Sequence, residues 1–457
     1  MSAIASFSKI AAEFSKAHSN TSDTSVNTNM NDIQQPTFII PKSPNEMRTR
    51  SHAKFLPSVI APLSHLPKPT GKYNVGCHDV EWSPNSDYDN DSGVGISSQD
   101  GMDDEDGILL RMYYPAELTK STKRTHPSWI PSHEYGMAFG KFVRWPQWLT
   151  LAVSAGLVAH PTSAYLDTQL IAGETKLPVV IFSHGLGGSR TIYSAFCSEM
   201  ASHGFVVCAM EHRDGSAALA SLNNGSRYML YQQASTTDLE TQKPFRRAQL
   251  KTRVGEINMC LQFLKSLNEG KELSTKGEID LSKFQSRLDM SNLVMAGHSF
   301  GAATSVQLLR EPDTPFKCGV LLDAWAQPLQ YDKKPLQRPV LLHCSDQFAQ
   351  WPENFALLKK LAHEANSSVS KEMGRSFMIS VKGSAHQNYT DFVMIFSKYS
   401  HFIRRYAGTI DPRRAMDLLC RGSLEFMRQS LTDVAVTIPG DATIFSDKRP
   451  SEVVLQA

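Results

Sequence analysis

The chain has 457 residues, of which 41% are hydrophobic and 20% charged, and its formal net charge is +2. This composition is typical of a globular protein with one large core, and so small a net charge excludes the electrostatic footprint of a nucleic-acid-binding protein. No run of about 18 apolar residues occurs, so the sequence predicts no transmembrane helix.

The seven cysteines are scattered along the chain and include no C-x-x-C pair. Several lie in apolar, strand-like runs, among them Cys208 and Cys344. An odd number of cysteines in such runs favours buried free thiols in a reducing compartment over a disulfide framework or a zinc site.

Residues 1–66 are predicted to be a disordered leader, because residues 19–66 are rich in Ser, Thr, Asn and Pro and have little apolar periodicity. The N-terminus lacks the apolar core of a signal peptide, and Ser2 excludes N-myristoylation. A transit peptide at residues 1–18 is the weaker interpretation, since Glu13 and the lack of arginine in this stretch count against import. The sequence therefore predicts a cytoplasmic location, with contact to membranes that is at most peripheral.

Residues 67–437 are predicted to form one domain, interrupted early by an acidic insertion at residues 81–107. A strand at residues 72–80 and another at residues 108–114 are expected to pair across this insertion. The insertion ends in four acidic residues without EF-hand spacing, so a solvated loop is favoured over a calcium site. Residues 438–457 have a weak pattern and are predicted to be a C-terminal tail.

Residues 127–160 contain three tryptophans and are predicted to form either an interfacial segment or cap helices packed on the domain. Trp145, Trp148 and Leu149, together with two nearby basic residues, suit the headgroup region of a membrane. Trp129 belongs to the same cluster in the sequence. The two interpretations are equally good at this point.

From residue 177 onward, short apolar strands alternate with helical segments. Strands are predicted at residues 177–183, 205–210, 293–296, 316–322, 339–344 and 376–381, and helices up to residue 203 and at residues 250–267, 302–309, 353–366, 389–407 and 413–430. Residues 214–243 are predicted to be a polar loop. The alternation has no internal repeat and predicts an α/β fold with a mostly parallel, doubly wound sheet flanked by helices.

Two glycine-rich turns follow predicted strands. The turn at residues 184–189 reads HGLGGS and resembles the loop that supplies one oxyanion-hole amide in α/β-hydrolases, with the N–H of Leu186 as the candidate. The turn at residues 297–301 reads GHSFG and is predicted to be a nucleophile elbow that presents Ser299. Glycines flank the serine in such an elbow because a side chain there would collide with the neighbouring strand or helix.

An elbow serine needs a histidine base and a carboxylate behind it, because its hydroxyl is barely nucleophilic at neutral pH. His386 is the predicted base, since it follows the last core strand in a Gly-Ser-rich loop. Asp323 and Asp346 both end strands, and position in the fold leaves the choice of acid open. The run Glu211-His212-Arg213-Asp214 looks like a catalytic cluster, but charged residues at strand ends commonly just pair with each other.

Three further histidines are predicted to have other roles. His343 lies inside an apolar strand and is expected to be a core residue. His184 and His298 flank the reacting centre but occupy loop positions that usually shape the pocket.

Five stretches of the sequence resemble the platelet-activating factor acetylhydrolases of the α/β-hydrolase superfamily. They are residues 72–80, 182–188, 297–304, 321–325 and 383–388, reading KYNVGCHDV, FSHGLGG, GHSFGAAT, LLDAW and GSAHQN. In order and context they cover residues 70 to 430 approximately. The resemblance implies that Ser299 is the nucleophile, His386 the base and Asp323 the acid, with Asp346 held in reserve.

The same resemblance implies oxyanion donors at the backbone N–H groups of Leu186 and Phe300, and neither a metal nor another cofactor. Members of the family hydrolyse acetyl, short or oxidised acyl groups at the sn-2 position of phospholipids without calcium. They dock at lipid surfaces through a helix that corresponds to residues 145–151, and residues 392–396 form a second candidate helix for docking. The predicted partners are therefore a phospholipid substrate and a membrane or lipid-aggregate surface.

The predicted function is that of a 1-alkyl-2-acetylglycerophosphocholine esterase that works through an acyl-serine intermediate. A general carboxylesterase or neutral lipase of the same fold is the alternative. A catalytically inactive relative used for adhesion is disfavoured because all three triad residues are present. The leader and the acidic insertion lie outside the shared pattern, so the resemblance predicts neither the compartment nor the oligomeric state.

Overall fold

The structure is a computed structural model that describes residues 63–84, 107–119, 122, 124–273, 275, 280–330, 334–399, 406–432, 434 and 443–456. The predicted leader lies outside the described residues except for positions 63–66, and the predicted acidic insertion lies outside them except for positions 81–84 and 107.

The strands of the described residues alternate with helices along most of the chain. The strands are β1 (Asn74–Trp82), β2 (Ile108–Glu117), β3 (Tyr165–Leu166), β4 (Gln169–Leu170), β5 (Leu177–Ser183), β6 (Val206–Glu211), β7 (Leu219–Leu222), β8 (Arg227–Leu230), β9 (Leu288–His298), β10 (Phe316–Leu322), β11 (Val340–Ser345), β12 (Phe377–Val381) and β13 (Val453–Leu455).

The α-helices are α1 (His133–Phe142), α2 (Gln147–Val158), α3 (Ser194–Ser202), α4 (Lys243–Glu269), α5 (Phe300–Leu309), α6 (Asp346–Ala349), α7 (Pro352–Ser368), α8 (Phe392–Ile395) and α9 (Pro412–Ser430). Short 3₁₀ turns occur at Ser282–Phe284, Lys371–Met373, His386–Tyr389 and Ser397–Tyr399. Among the described residues, no helix combines the length and the apolar character that crossing a bilayer requires.

Eleven strands form one sheet in the order β13-β12-β11-β10-β9-β5-β6-β2-β1-β3, with β4 paired to β2. From β12 to β6 in this order, every neighbouring pair is parallel. Strands β1 and β2 pair antiparallel, as the sequence predicts. The central strands are apolar on both faces because helices cover both faces of the sheet. The prediction of a mostly parallel, doubly wound sheet is confirmed.

Each face of the sheet has its own hydrophobic core. One core is closed by α3, α9 and the cap helices α1 and α2, and the other by α4, α5 and α7. Burial of each large apolar side chain in such a core contributes about 1.5–3 kcal/mol. All seven cysteines lie in the described part of the chain and are buried and free, which confirms the prediction of free thiols.

The structure differs from the sequence predictions in three segments. The predicted polar loop at residues 214–243 contains the antiparallel hairpin β7–β8, whose turn includes Asn223, Asn224 and Gly225 with positive φ. In the segment 389–407, where one helix is predicted, residues 389–399 contain the short helix α8 between two 3₁₀ turns, and residues 400–405 lie outside the described residues. Strand β13 lies in the predicted tail and pairs antiparallel with β12.

The parallel strands bring the predicted site residues to one edge of the sheet. Ser183 at the end of β5 pairs with Gly297 near the end of β9, and Leu322 at the end of β10 pairs with His298. The loops that follow these strands therefore lie side by side at the carboxyl edge, where ligands bind in open α/β sheets.

Candidate active site

Ser299 occupies a strained turn between β9 and α5. Its φ of 57° and ψ of −115° form a conformation that residues other than glycine rarely adopt. A Cβ atom on Gly301 would lie 2.0 Å from the carbonyl oxygen of Ser183, and one on Gly297 would lie 2.4 Å from that of Gly301. The N–H of Ser299 donates to the carbonyl of Leu322 at 2.8 Å. The turn therefore has the close contacts that the sequence predicts for a nucleophile elbow.

His386 and Asp323 are hydrogen-bonded to each other. The distance from His386 Nδ1 to Asp323 Oδ2 is 2.9 Å, and the carboxylate is fully buried. Asp323 also accepts hydrogen bonds from the N–H and the hydroxyl of Ser345, both at 2.6 Å. Three donors hold the carboxylate in place, and its position in turn keeps the proton of the imidazole on Nδ1 and leaves Nε2 as the basic atom.

The imidazole of His386 lies between two other rings. Phe348 stacks on it with ring centres 4.3 Å apart and planes 4° apart, and the ring centre of His298 is 4.4 Å away. Burial lowers the pKa of His298 well below its usual value, so this neighbour is neutral at neutral pH. A neutral neighbour does not repel the positive charge that a base acquires when it takes a proton.

Asp346 makes different contacts from Asp323. Its Oδ2 accepts a hydrogen bond from the N–H of Gly383 at 3.0 Å, and its own N–H donates to the hydroxyl of Ser384 at 3.2 Å. These contacts fix the start of the loop that carries His386. Of the two aspartates that the sequence leaves open, the structure places Asp323 against the imidazole and Asp346 against the backbone of the loop.

Ser299 and His386 line the same pocket, at the carboxyl edge of the sheet. Its walls are largely apolar and aromatic, and come from α1 and the α1–α2 turn on one side and from the segment after His386 on the other. The remaining lining residues are Phe139, Phe142, Val143, Trp145, Gly185, Leu186, Gly187, Ile192, Tyr193, His298, Gln387, Thr390, Phe392 and Tyr406.

Two backbone amides lie next to Ser299. Leu186 belongs to the glycine-rich loop after β5, and a Cβ atom on the preceding Gly185 would lie 3.0 Å from the Cβ of Ser299. Phe300 is the first residue of α5, so its N–H has no partner within the helix. Leu186 lines the same pocket as Ser299, and Phe300 directly follows Ser299 in the chain.

His298, Asp323 and His386 also offer three ligand atoms within 4.8 Å of one another. Two of these residues, His386 and Asp323, are already joined by a hydrogen bond. The carboxylate accepts this bond and two more from Ser345. This donor set fits a proton relay better than a metal site.

The charged run at residues 211–214 is paired, as the sequence interpretation favours. The pairs are Glu211 with Arg190 at 2.5 Å, His212 with Glu256 at 2.5 Å, Arg213 with Glu81 at 2.6 Å and Asp214 with Arg253 at 2.8 Å. None of these eight residues lines the pocket described above. The partners Glu256 and Arg253 come from α4, and sequence reasoning did not identify them.

The predicted interfacial residues divide into exposed and packed ones. Trp148 on α2 is 73% exposed and Leu151, one turn further on, is 64% exposed. Leu149 is partly buried, and Trp145 packs edge-on against Phe396 with ring centres 6.0 Å apart. The exposed pair therefore lies on one face of α2, and Trp145, just before that helix, lines the pocket.

Two other candidates for contact with lipid are buried. Trp129 is fully buried, and its Nε1 donates to Asp391 Oδ2 at 3.0 Å. Val393 and Ile395 in α8 are also fully buried in the core. The expectation that Trp129 or the segment 392–396 reaches a membrane surface is therefore wrong, because protein atoms already cover both.

The cap helices pack closely on each other. A Cβ atom on Gly140 of α1 would lie 2.2 Å from Thr150 of α2, and one on Gly136 would lie 2.7 Å from Ser154. Glycines facing small residues allow the two helices to approach more closely than larger side chains would. The exposed face of α2 is thereby joined to the pocket wall on α1.

A family model described as platelet-activating factor acetylhydrolase, isoform II, matches residues 59–437. A platelet-activating factor acetylhydrolase from Canis lupus familiaris is 34% identical over 379 residues, covering 80% of this chain and 78% of that protein. One from Gallus gallus is 32% identical over 359 residues, covering 74% of this chain and 82% of that protein.

Among solved structures, a ferulic acid esterase from Streptomyces cinnamoneus superimposes with a TM-score of 0.59 and 18% sequence identity. The match covers 86% of this chain and 99% of that chain. It shows that the present chain has the α/β-hydrolase fold.

Proposed function

Because the chain belongs to the isoform II family of platelet-activating factor acetylhydrolases and is a serine esterase, we propose that it hydrolyses the sn-2 ester of phospholipids that carry an acetyl, short or oxidised acyl group. The observation that carries this proposal is the Asp323–His386 hydrogen bond at the rim of a pocket that also contains Ser299. A relay of this kind beside a strained elbow serine suits acyl transfer.

In the first step, Nε2 of His386 takes the proton of the Ser299 hydroxyl as its oxygen attacks the sn-2 carbonyl carbon. The carbonyl double bond opens and its oxygen becomes an oxyanion. The imidazolium, stabilised by Asp323, then gives its proton to the leaving glycerol oxygen as the ester bond breaks. The products of this step are a lysophospholipid and an acyl-serine.

In the second step, His386 removes a proton from water, which attacks the acyl-serine carbonyl. The second oxyanion collapses, the free acid leaves, and Ser299 regains its proton from the imidazolium. In both steps the N–H groups of Leu186 and Phe300 stabilise the oxyanion, and loss of one such donor costs about 10²–10³ in kcat. Because backbone amides supply this stabilisation, the reaction proceeds without calcium.

The substrate class follows from the pocket and from the surface beside it. The pocket walls are mainly aromatic and aliphatic, which suits an amphipathic ester better than a sugar or a nucleotide. The exposed Trp148 and Leu151 on α2 give the same side of the protein an apolar surface. Insertion of these two side chains at headgroup depth would place the pocket next to the ester of a membrane lipid.

The seven buried free cysteines support a location in a reducing compartment. The cytoplasm is such a compartment, and we propose it for this protein.

The proposal is tested with Ser299→Ala and with two substrates. Wild-type protein in excess EDTA should hydrolyse an sn-2-acetyl phospholipid rapidly and its sn-2-palmitoyl analogue slowly, and Ser299→Ala should hydrolyse neither while its thermal melting stays that of a folded protein. A fluorophosphonate probe should label the wild type and not the variant. Equal rates on the two lipids would favour a general carboxylesterase or a neutral lipase, and turnover by Ser299→Ala would reject the mechanism.

A further inference from the structure

The glycine-rich loop after β5 is held by side chains outside the predicted triad. The carbonyl oxygen of Gly185 accepts hydrogen bonds from Nδ1 of His184 at 2.7 Å and from the N–H of Gly188 at 3.0 Å. The peptide group between Gly185 and Leu186 is planar and trans, so its N–H points away from its carbonyl. Two donors that fix the carbonyl therefore also fix the direction of the Leu186 N–H.

The ring of His184 can play this part in only one tautomer. Its Nε2 accepts the backbone N–H of His212 at 3.1 Å, so the ring proton is on Nδ1, where it donates to Gly185. Burial and the charge of Arg253 lower the pKa of His184 well below its usual value. The ring is therefore neutral at neutral pH and keeps both a donor and an acceptor.

Arg253 holds the other end of the same loop. Its Nη1 donates to the carbonyl of His184 at 2.6 Å, its Nε to Asp214 at 2.8 Å and its Nη2 to the hydroxyl of Ser216 at 2.5 Å. The carbonyl of Ser216 in turn accepts the N–H of Gly187 at 2.8 Å. One guanidinium thus links both flanks of the loop to the helix α4.

The His212 ring is itself fixed by a buried chain of hydrogen bonds. Its Nε2 lies 2.7 Å from the hydroxyl of Ser183, and its Nδ1 lies 2.5 Å from a carboxylate oxygen of Glu256. This chain has the residue types of a Ser-His-Glu triad, but all three side chains are buried and none lines the pocket. The chain holds His212 in place. The backbone N–H of His212 donates to Nε2 of His184 and so determines the tautomer of that ring.

We propose that His184 and Arg253 are positioning residues for the oxyanion hole, and that the Ser183–His212–Glu256 chain keeps His184 in the tautomer that this role requires. The inference rests on the proposed function, since it concerns the amide that stabilises the oxyanion. The Ser183–His212–Glu256 chain thus helps to orient the N–H of Leu186 and does not contact the substrate.

Two substitutions at residue 184 separate the donor from the acceptor. The amide nitrogen of Asn can stand near the position of Nδ1, so His184→Asn keeps a donor for the Gly185 carbonyl. The amide of Gln reaches the position of Nε2, so His184→Gln keeps a partner for the His212 N–H but loses that donor. We expect kcat on a soluble acetyl ester to fall about 100-fold in His184→Gln and about tenfold in His184→Asn, with KM nearly unchanged in both.

Two readouts and one control variant distinguish a misplaced oxyanion donor from general damage. A trifluoromethyl ketone adds to Ser299 and places an oxyanion in the hole, so its affinity should fall in parallel with kcat. The pH at which kcat/KM is half-maximal should not move, because the His386–Asp323 pair is untouched. His203→Gln removes another buried imidazole, one that pairs with Glu199 at 3.0 Å at the end of α3, and should leave kcat unchanged.

Wild-type kcat in a folded His184→Gln variant would overturn the inference, and so would a loss of rate without a loss of ketone affinity. If His184→Gln does not fold, Arg253→Lys replaces it, because lysine retains the charge beside Asp214 but cannot also bind the His184 carbonyl. Its kcat and ketone affinity should fall together, and an unchanged kcat would again overturn the inference. Activity retained by Ser299→Ala would instead reject the proposed function itself.

Discussion

Asp323 and His386 lie 63 positions apart in the sequence, and Oδ2 of one lies 2.9 Å from Nδ1 of the other. The first follows β10 and the second follows β12, with β11 between these strands in the sheet. The loop after β12 therefore crosses the end of β11 to reach the aspartate, and Ser345 at that end donates to the same carboxylate.

This arrangement predicts that substitution of Asp323 lowers kcat much more than substitution of Asp346. Asp323→Asn should lower kcat by about 10⁴, because an amide in place of the carboxylate favours the wrong tautomer of His386. Asp346→Asn should lower kcat less than about tenfold, since its carboxylate accepts a hydrogen bond from the loop backbone at Gly383. Steady-state rates on a soluble acetyl ester, with circular dichroism as a check of folding, measure both. The opposite ranking would reassign the acid to Asp346.

Buried histidines predict a loss of stability in acid. Burial lowers the pKa of His343 from 6.5 to about 3, so between these values the unfolded chain binds a proton that the folded chain does not. Stability that this residue contributes is present above pH 6.5 and is lost as the pH falls, by up to about 1.4 kcal/mol per pH unit. The free energy of unfolding in urea should therefore fall less steeply from pH 7 to pH 5 in His343→Leu than in the wild type. Equal slopes would contradict the prediction.

The exposed face of α2 predicts a defect that appears only at a lipid surface. The double variant Trp148→Ser, Leu151→Ser should bind zwitterionic phospholipid vesicles at least about tenfold more weakly. Burial of each exposed side chain in the bilayer contributes about 1.5–3 kcal/mol to the free energy of binding. The rate of the double variant on a water-soluble acetyl ester should equal that of the wild type.

Met373 provides a matched control for the vesicle experiment. It is 47% exposed and lies in the 3₁₀ turn Lys371–Met373, outside the cap helices. Met373→Ser should bind vesicles like the wild type. If it weakens binding as much as the double variant on α2 does, docking through α2 is wrong.

Gly301 in the elbow is predicted to tolerate no added methyl group without a large loss of stability and activity. Gly301→Ala would place a Cβ 2.0 Å from the backbone oxygen of Ser183, and backbone atoms in the sheet cannot move aside as a flexible side chain can. We expect the melting temperature to fall by several degrees and esterase activity to fall at least about 100-fold. Gly156→Ala on α2, where the nearest atom would be 3.8 Å away, should melt at or above the wild-type temperature. Equal behaviour of the two variants would show that the elbow can relax.

The residues of the proposed triad were predictable because each of them follows a recognisable strand. The glycines around Ser299 and the Gly-Ser-rich loop before His386 mark the places where the chain turns at the end of a strand. Strand order then brings these turns together. Short-range pattern was enough to find them, and the resemblance to known enzymes chose between the aspartates.

The surroundings of the site were not predictable in the same way. Phe348 stacks on His386 from 38 positions away, and no local pattern marks such a contact. Arg253 and Glu256 lie on the face of α4 that carries its buried leucines, where a charge is usually excluded. Its place in the sequence groups Trp129 with the exposed tryptophan of α2, but its buried N–H donates to Asp391, 262 positions away. These contacts depend on tertiary packing, which periodicity along the chain does not encode.

Strand β13 has a consequence for how the protein avoids aggregation. It is three residues long and pairs antiparallel with β12, so among the described residues the sheet ends at this margin in a short strand rather than in the five-residue β12. A long open margin would offer another chain a row of free N–H and carbonyl groups, and so short a strand offers few of them. Deletion of residues 450–457 should therefore leave the chemistry at Ser299 intact and make the protein associate through the uncovered β12.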